Sequence, residues 1–363
     1  MNAVRGPDAR LGAANPSTCD PTLPIALTMG EPAGVGPELT LHAWMARENR
    51  AVAPFFVVAD PDHLRDLAAH LSLDVPIAAI DRPQDALGIC DRALPVLPVS
   101  LATRPHPGRP APANAKAVLG AIEGAFSAVA KGVAGAIVTA PIHKESLYAA
   151  GFPHPGHTEF LGHLCDQAGL GGYHPARPWM MLACPQLRVV PITVHLPLTK
   201  VPGALSSDRI VAAGQALATA LTGDFGIPRP RIAVTGLNPH AGEAGALGDE
   251  EEGIIAPAIA RLKDAGIYVF GPSAADSLFH EAARGGYDAV LAMYHDQALI
   301  PVKALDFRHA VNVTLNLPVV RTSPAHGTAF DLAGTGRADP ESLICALGLA
   351  HDIAWRRASQ NAP

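Results

Sequence analysis

Three histidines stand where apolar runs end. "LRVVPITV" leads into His195, "RIAVTGL" into Asn238-Pro239-His240, and "YDAVLAM" into Tyr294-His295-Asp296. They lie 45 and 55 residues apart, too far for one finger-type loop but suited to one ligand from each of three neighbouring strands. Neutral imidazoles bind Zn²⁺, Co²⁺ or Ni²⁺ well, and three of them leave positions open for a substrate. The chain has 16 histidines, and a loop histidine is ordinarily solvated or hydrogen-bonded, so position alone leaves both readings standing.

Other reactive residue types follow the same pattern. "GAIVTAP" runs into His143-Lys144, which has no distinctive motif. His157-Thr158-Glu159 either contacts a ligand or caps the helix "EFLGHLCDQAG". Lys303 and Arg321 suit an anion, Arg321 as a bidentate fork and Lys303 as a point charge, although any single Lys or Arg is by default a solvated surface charge. Asp296 is either a proton acceptor or a group that orients its neighbour. "GEPAGVGP" (30–37) is neither a GxGxxG fingerprint nor a P-loop and reads as a Gly/Pro turn. Met180 and Met181 read as core filler.

The elements that must position these residues are short apolar runs: 24–30, 54–60, 135–141, 187–197, 231–240, 287–296 and 311–318. Val, Ile, Leu and Ala occupy both faces of most of them, as in strands covered by helices on both sides. Helical stretches alternate with them. Asn114 is placed to cap one that stops at Gly132, Asp249 and Glu252 form a capping-box pattern before one closed by Gly266, and Asp339-Pro340 opens another. The alternation predicts an α/β fold with a mostly parallel sheet, whose ligands sit beyond the carboxyl ends of the strands. The Pro-rich stretch 103–114 reads as a surface connection between lobes.

Composition bounds the rest. The chain has 363 residues, 48% of them hydrophobic, enough for a large core. A formal net charge of -6 without any Arg/Lys run argues against a nucleic-acid partner. Five scattered cysteines (Cys19, Cys90, Cys165, Cys184 and Cys345) without a CxxC pair fit a reducing cytoplasm. No apolar stretch approaches the roughly 18 residues of a membrane span. The first 22 residues lack a hydrophobic signal core and read as a disordered tail.

Taken together, "TMGEPAGVGPEL", "TAPIHK", "GHTEF", "VHLPL", "GLNPHAGE", "YHDQALIPVK" and "VNVTLNLPVVRTSPAHGTAFDLAGTG" resemble the 4-hydroxythreonine-4-phosphate dehydrogenase family, over roughly residues 23–355. The resemblance implies a two-lobed isopropylmalate dehydrogenase-like fold with its active site in an inter-lobe cleft. It implies metal ligation by His195, His240 and His295, with Zn²⁺, Mg²⁺ or Co²⁺ as the ion. It implies substrate contacts from His157, Thr158, Lys303, Asn312 and Arg321, and NAD or NADP held by Ser323, His326, Gly327, Thr328 and Asp331. It also implies a homodimer with shared active sites. The expected reaction oxidises the 3-hydroxyl of 4-phosphooxy-L-threonine to 2-amino-3-oxo-4-phosphooxybutanoate, which decarboxylates to 3-amino-2-oxopropyl phosphate. Lys303, His157 and Asp296, in that order, are the candidate proton acceptors. The expected lobes are 23–145 with 296–363, carrying both termini and the nucleotide loop, and 146–295, carrying the metal histidines and the dimer contacts. The stretch 165–182 is longer than the motif spacing requires and reads as an enlarged surface loop. A dehydrogenase of a cis-dihydrodiol dicarboxylate or a threonate phosphate, an acyl-phosphate transferase, and a non-catalytic metal-binding protein are the competing readings.

Overall fold

The computed structural model describes residues 23–170 and 178–360. The N-terminal stretch read as a tail and part of the 165–182 stretch lie outside the described residues. Two compact units are present, one built from residues 178–316 and the other from 23–170 with 317–358.

The second of these holds six strands: β1 (Ile25–Thr28), β2 (Phe55–Ala59), β3 (Ile77–Ala79), β4 (Leu94–Pro98), β5 (Ala136–Thr139) and, numbered last in the chain, β12 (Arg321–Pro324). They lie in the order β3-β4-β2-β1-β5-β12, and every pairing among them is parallel. Ile25, Ala26, Leu27, Ile137 and Val138 are all fully buried, so neither face of the central strands meets water. Gly30, just past β1, has φ +69°, and a Cβ there would meet the Pro141 carbonyl at 2.5 Å. Only glycine lets the two strand ends pass so closely.

The 178–316 unit holds β6 (Trp179–Cys184), β7 (Leu187–Thr193), β8 (Ile232–Thr235), β9 (Val269–Ser273), β10 (Ala289–Tyr294) and β11 (Val311–Leu315). Their order is β11-β6-β7-β10-β8-β9. β6 runs antiparallel to both its neighbours, and the remaining pairs are parallel. The architecture is therefore α/β and mostly parallel, as the alternation predicts.

Several local expectations need correction. Residues 179–184 are a strand and not a loop, because the turn at Pro185-Gln186 folds them back on β7. The unit boundary falls after 316, because β11 is hydrogen-bonded to β6. The helix His157–Gln167 instead goes with the other unit, against the helix Ala115–Ala130. Residues 103–114 stay within one unit; Asn114 ties the stretch shut by accepting from the Thr103 amide (3.0 Å) and donating to the Thr103 carbonyl (3.0 Å). That use of the amide leaves no Asn114 cap on the helix it precedes. The Asp249/Glu252 pattern opens not with a capping box but with a π-helical turn, Glu251–Ile255, whose N-cap residue Glu250 makes no side-chain cap. Asp339 does cap, accepting from the Glu341 amide at 3.1 Å.

Candidate active site

The three histidines follow three adjacent strands. β10 is central, with β7 on one side and β8 on the other, all parallel, so their carboxyl ends share one edge. Register sets the spacing. Thr193 pairs with Tyr294, so His195 and His295 emerge two and one residues beyond a matched pair. Their ring centroids are 5.7 Å apart. The His295 Nδ1 lies 2.7 Å from the Asp296 carboxylate, a contact that orients the ring and leaves Nε2 as the nitrogen directed away from that acid. His240 sits five residues beyond the end of β8. Among the described residues no three His, Cys, Asp or Glu side chains stand close enough to hold an ion, so His240 does not close a three-ligand cluster with the other two here.

Both His195 (φ 53°) and His240 (φ 52°) have left-handed backbones. In the His240 segment the conformation runs on through Ala241 (52°), Gly242 (79°), Glu243 (45°), Ala244 (53°) and Gly245 (87°). Such a conformation costs about 1–2 kcal/mol for each non-glycine residue and persists only where the surroundings dictate it.

Buried polar side chains stitch these strand ends together. Gln297 accepts from the Thr235 hydroxyl and the Met293 amide, each at 2.7 Å, and donates to the Gly236 carbonyl at 2.8 Å. The Thr193 hydroxyl donates to the Met293 carbonyl at 2.8 Å. The Glu251 carboxylate accepts from the Leu237 amide (2.7 Å), the Asn238 amide (2.8 Å) and the Asn238 side chain (2.9 Å). Burial would raise its pKa, but these bonds outweigh it and hold the group below the ordinary carboxyl value. Two imidazoles side by side, one of them beside a carboxylate, are donors of the type a borderline divalent ion takes, and the third strand-end imidazole, on His240, follows the adjoining strand without closing the set.

Further along this unit, Lys303 is half-buried in the helix His295–Asp306, its amine 5.6 Å from the centre of the Phe307 ring. Asn312 is on β11, and its Oδ1 is buried without a hydrogen-bond partner. That orphaned acceptor suits a ligand that brings a donor.

The other unit gathers a cationic, anion-competent group. Arg321 begins β12 and is 4% exposed. Its guanidinium donates to the Thr139 hydroxyl from Nε (3.1 Å) and Nη2 (2.6 Å). Burial pulls its pKa down to about 10, against the pull of Glu159. His157 does not cap its helix; Gly156 occupies that position and His157 is the first helical residue. Its Nε2 is buried without a hydrogen-bond partner. Desolvation first, then Arg321 and Lys144, drive its pKa well below the usual value, so the ring is neutral at pH 7. Thr158 lies in the same first helical turn.

The loop after β12 is fixed before any ligand arrives. Ser323 is buried within the strand. The Thr328 carbonyl accepts from the Val35 amide at 3.0 Å, and His326 Nδ1 lies 2.9 Å from the Gly327 carbonyl. Glu38, fully buried, accepts from the amides of Gly334 (2.8 Å) and Ala338 (3.1 Å). Asp331 is exposed. Nothing lies within 4 Å of where a Cβ on Gly327 would stand, so a ligand can reach the backbone there. The "GEPAGVGP" turn is thus a docking partner of this loop.

Sequence reasoning missed Gln297, Glu251, Glu38, Thr139 and Thr193. Gln297 carried a signal, an amide directly after His-Asp at a strand end; Glu251 carried none, standing second in a run of three glutamates.

The model of the family described as "Pyridoxal phosphate biosynthetic protein PdxA" matches residues 51–350. A 4-hydroxythreonine-4-phosphate dehydrogenase of Erythrobacter litoralis is 51% identical over 339 residues, 93% of this chain and 99% of the relative. One of Methylorubrum extorquens is 48% identical over 342 residues, 94% of this chain and 97% of the relative. The crystal structure of 4-hydroxythreonine-4-phosphate dehydrogenase from Klebsiella pneumoniae superposes with a TM-score of 0.78 at 38% identity, covering 92% of this chain and all of that one. By sequence along nearly its whole length and by fold, the chain belongs to the pyridoxal phosphate biosynthetic protein PdxA family.

Proposed function

We propose that the chain is a cytoplasmic, NAD(P)- and divalent-metal-dependent 4-hydroxythreonine-4-phosphate dehydrogenase, oxidising the 3-hydroxyl of 4-phosphooxy-L-threonine on the route to pyridoxal phosphate. The observation that carries the reading is the adjacency of β7, β10 and β8, whose ends present His195, His295 and His240, with two of the rings 5.7 Å apart. The relatives' name supplies the substrate. The resemblance supplies the ion and the nicotinamide.

In this reading His195, His240 and His295 hold the ion, which contributes Lewis acidity toward the substrate hydroxyl. The nicotinamide, held by the loop of Ser323, His326, Gly327, Thr328 and Asp331, contributes the hydride acceptor. Arg321 binds an anionic group of the substrate; its desolvation strengthens a charge-assisted fork, and Thr139 keeps the guanidinium in plane. Thr158 and Asn312 add neutral contacts, and the Asn312 Oδ1 takes a donor such as the substrate ammonium. His157 meets the substrate through Nε2 as a neutral base. Lys303 is the alternative proton acceptor. Asp296 orients His295 rather than the substrate.

The reading includes a homodimer. Leu196, Leu198 (66% exposed), Leu247, Ile300 (63%), Leu305 and Phe307 are large apolar side chains left exposed on the segments that follow β7, β8 and β10. An exposed apolar set of this kind beside a site favours self-association.

The test is nicotinamide reduction with 4-phosphooxy-L-threonine, with and without divalent ion, for the wild type and His240→Ala. Loss of both bound metal and turnover in the variant is expected. Absence of turnover with this substrate, with turnover of a cis-dihydrodiol dicarboxylate instead, would sink the assignment. Sedimentation at micromolar protein should give twice the mass of one chain.

A further inference from the structure

His240 is the one candidate ligand that does not emerge directly from a strand. It stands at the start of a left-handed run, 240–245, in which four of six residues are not glycine. Local backbone bonds turn the chain there: the amides of Ala241, Glu243, Gly245, Ala246 and Leu247 donate to the carbonyls of Asn238 (3.1 Å), His240 (3.3 Å), Gly242 (3.0 Å), Glu243 (3.2 Å) and Gly242 (3.0 Å). These bonds close the turn but do not fix where it leaves β8.

One carboxylate fixes that point and also lies against the run. Glu251, 3% exposed, takes the amides of Leu237 and Asn238 on Oε1, fixing the segment where it leaves β8. Its Oε2 takes the Asn238 side chain, which also donates to Glu250 at 2.7 Å. Two glycines admit the group. A Cβ on Gly236 would stand 2.9 Å from Oε1, and one on Gly242, inside the run, 2.7 Å from Oε2. Glu251 is itself held by the π-helical turn it opens, an uncommon geometry that recurs at functional sites.

We infer that Glu251 is a positioning residue for His240: by clamping 236–238 and packing against Gly242 it imposes the left-handed turn that delivers the imidazole to the edge shared with His195 and His295. The inference rests on the metal reading of those histidines. It differs from a merely structural role in one respect: loss of Glu251 must weaken ion binding in protein that remains folded.

The probe is Co²⁺ alone, titrated against a competing chelator, with the visible d–d spectrum recorded and far-UV circular dichroism checking the fold. Four proteins are compared: wild type, Glu251→Ala, Glu251→Gln and His240→Ala. Glu251→Ala should bind Co²⁺ about 10- to 100-fold more weakly, the usual effect of losing a group that supports a ligand, with a changed d–d band. Glu251→Gln keeps one carbonyl oxygen for the Leu237 and Asn238 amides, so it should recover part of the affinity and remain roughly 3- to 10-fold weak. His240→Ala should lose more than either. If Glu251→Ala, or Glu251→Gln where the alanine variant does not fold, binds within about twofold of wild type while His240→Ala is weakened, the inference is wrong and the metal reading stands. If His240→Ala also binds like wild type, the metal reading fails and the inference falls with it.

Discussion

Replacing Gln297 with leucine should be among the most damaging changes available outside the ligand set. The side chain is buried and makes three short bonds, from the Thr235 hydroxyl (2.7 Å), from the Met293 amide (2.7 Å) and to the Gly236 carbonyl (2.8 Å), joining segments 62 residues apart in sequence. Leucine fills a similar volume, so the packing loss is small. What remains is a hydroxyl, an N–H and a C=O with no partner, each costing about 1–3 kcal/mol when left buried. Partial relaxation of the Thr235 rotor reduces the sum, giving about 3–6 kcal/mol. Against a typical total of about 5–15 kcal/mol, that is a large share. The assay is urea unfolding followed by circular dichroism, with hydrogen exchange of the β8 and β10 amides reporting on this unit separately. Gln297→Glu is the control. Its new carboxyl keeps both acceptor bonds and, when protonated, can donate to the Gly236 carbonyl. A buried carboxyl of this kind has its folded-state pKa raised, so its stabilisation is present at low pH and lost as pH rises through that value. Its deficit should therefore grow with pH while that of Gln297→Leu stays flat. A loss below about 1 kcal/mol in Gln297→Leu would refute the claim that this amide holds the strand ends together.

Three further outcomes are expected. His157 has a depressed folded-state pKa, so the stability it contributes is present above the unfolded value of about 6.5 and is lost as pH falls through the lower folded one; His157→Gln should flatten the fall in Tm between pH 7 and 5, and parallel curves would contradict this. Arg321→Lys keeps the charge but loses the fork, and calorimetry with the phosphorylated substrate should show affinity reduced about tenfold or more; an unchanged Kd would remove Arg321 from the anion site. Burial pushes the Cys165 thiol up to about 11 and raises that of Cys184, so peptide mapping after a thiol reagent at pH 7.5 should find both unmodified in native protein and both labelled in urea.

How much of this was legible in the sequence depends on where each element is buried. β1, β2, β5, β7, β8 and β10 are written as continuous apolar runs because parallel strands under helices bury both faces, and β11, antiparallel to β6, is nearly as buried and just as legible. β3 and β9 lie at the ends of the strand orders; the first has three residues, and the second contains Gly271-Pro272. Neither has the pattern of a doubly covered strand. β4 carries prolines at Pro95 and Pro98. β12 reads Arg-Thr-Ser-Pro, polar by composition and yet buried throughout, because Arg321 and Thr322 bond to Thr139 and the Ala346 carbonyl. A strand whose polar groups are satisfied inside the protein has no signature in hydropathy. His195 and His295 were found together because they sit one or two residues past paired strand ends, where register alone brings them close.

The carboxylates show a different limit. In sequence Asp296 was weighed as a proton acceptor, since an acid beside a histidine at a strand end invites that role. In the structure three acids near candidate site segments are engaged in holding something else: Asp296 the His295 ring, Glu251 the amides before His240, and Glu38 the amides of the loop after β12. An ionised carboxylate is the one side chain that accepts several N–H bonds at once, which makes it the natural clamp for backbone forced into left-handed or open conformations. Glu251 lowers its own pKa by doing so, and a weaker base is a poorer proton acceptor at neutral pH. The proposed function therefore assigns proton transfer to nitrogen. His157 already meets one requirement, since burial and two nearby cations keep its ring neutral and its Nε2 has no protein partner. In the proposed function the acids build the geometry, and His157 and Lys303 are the bases offered to the substrate.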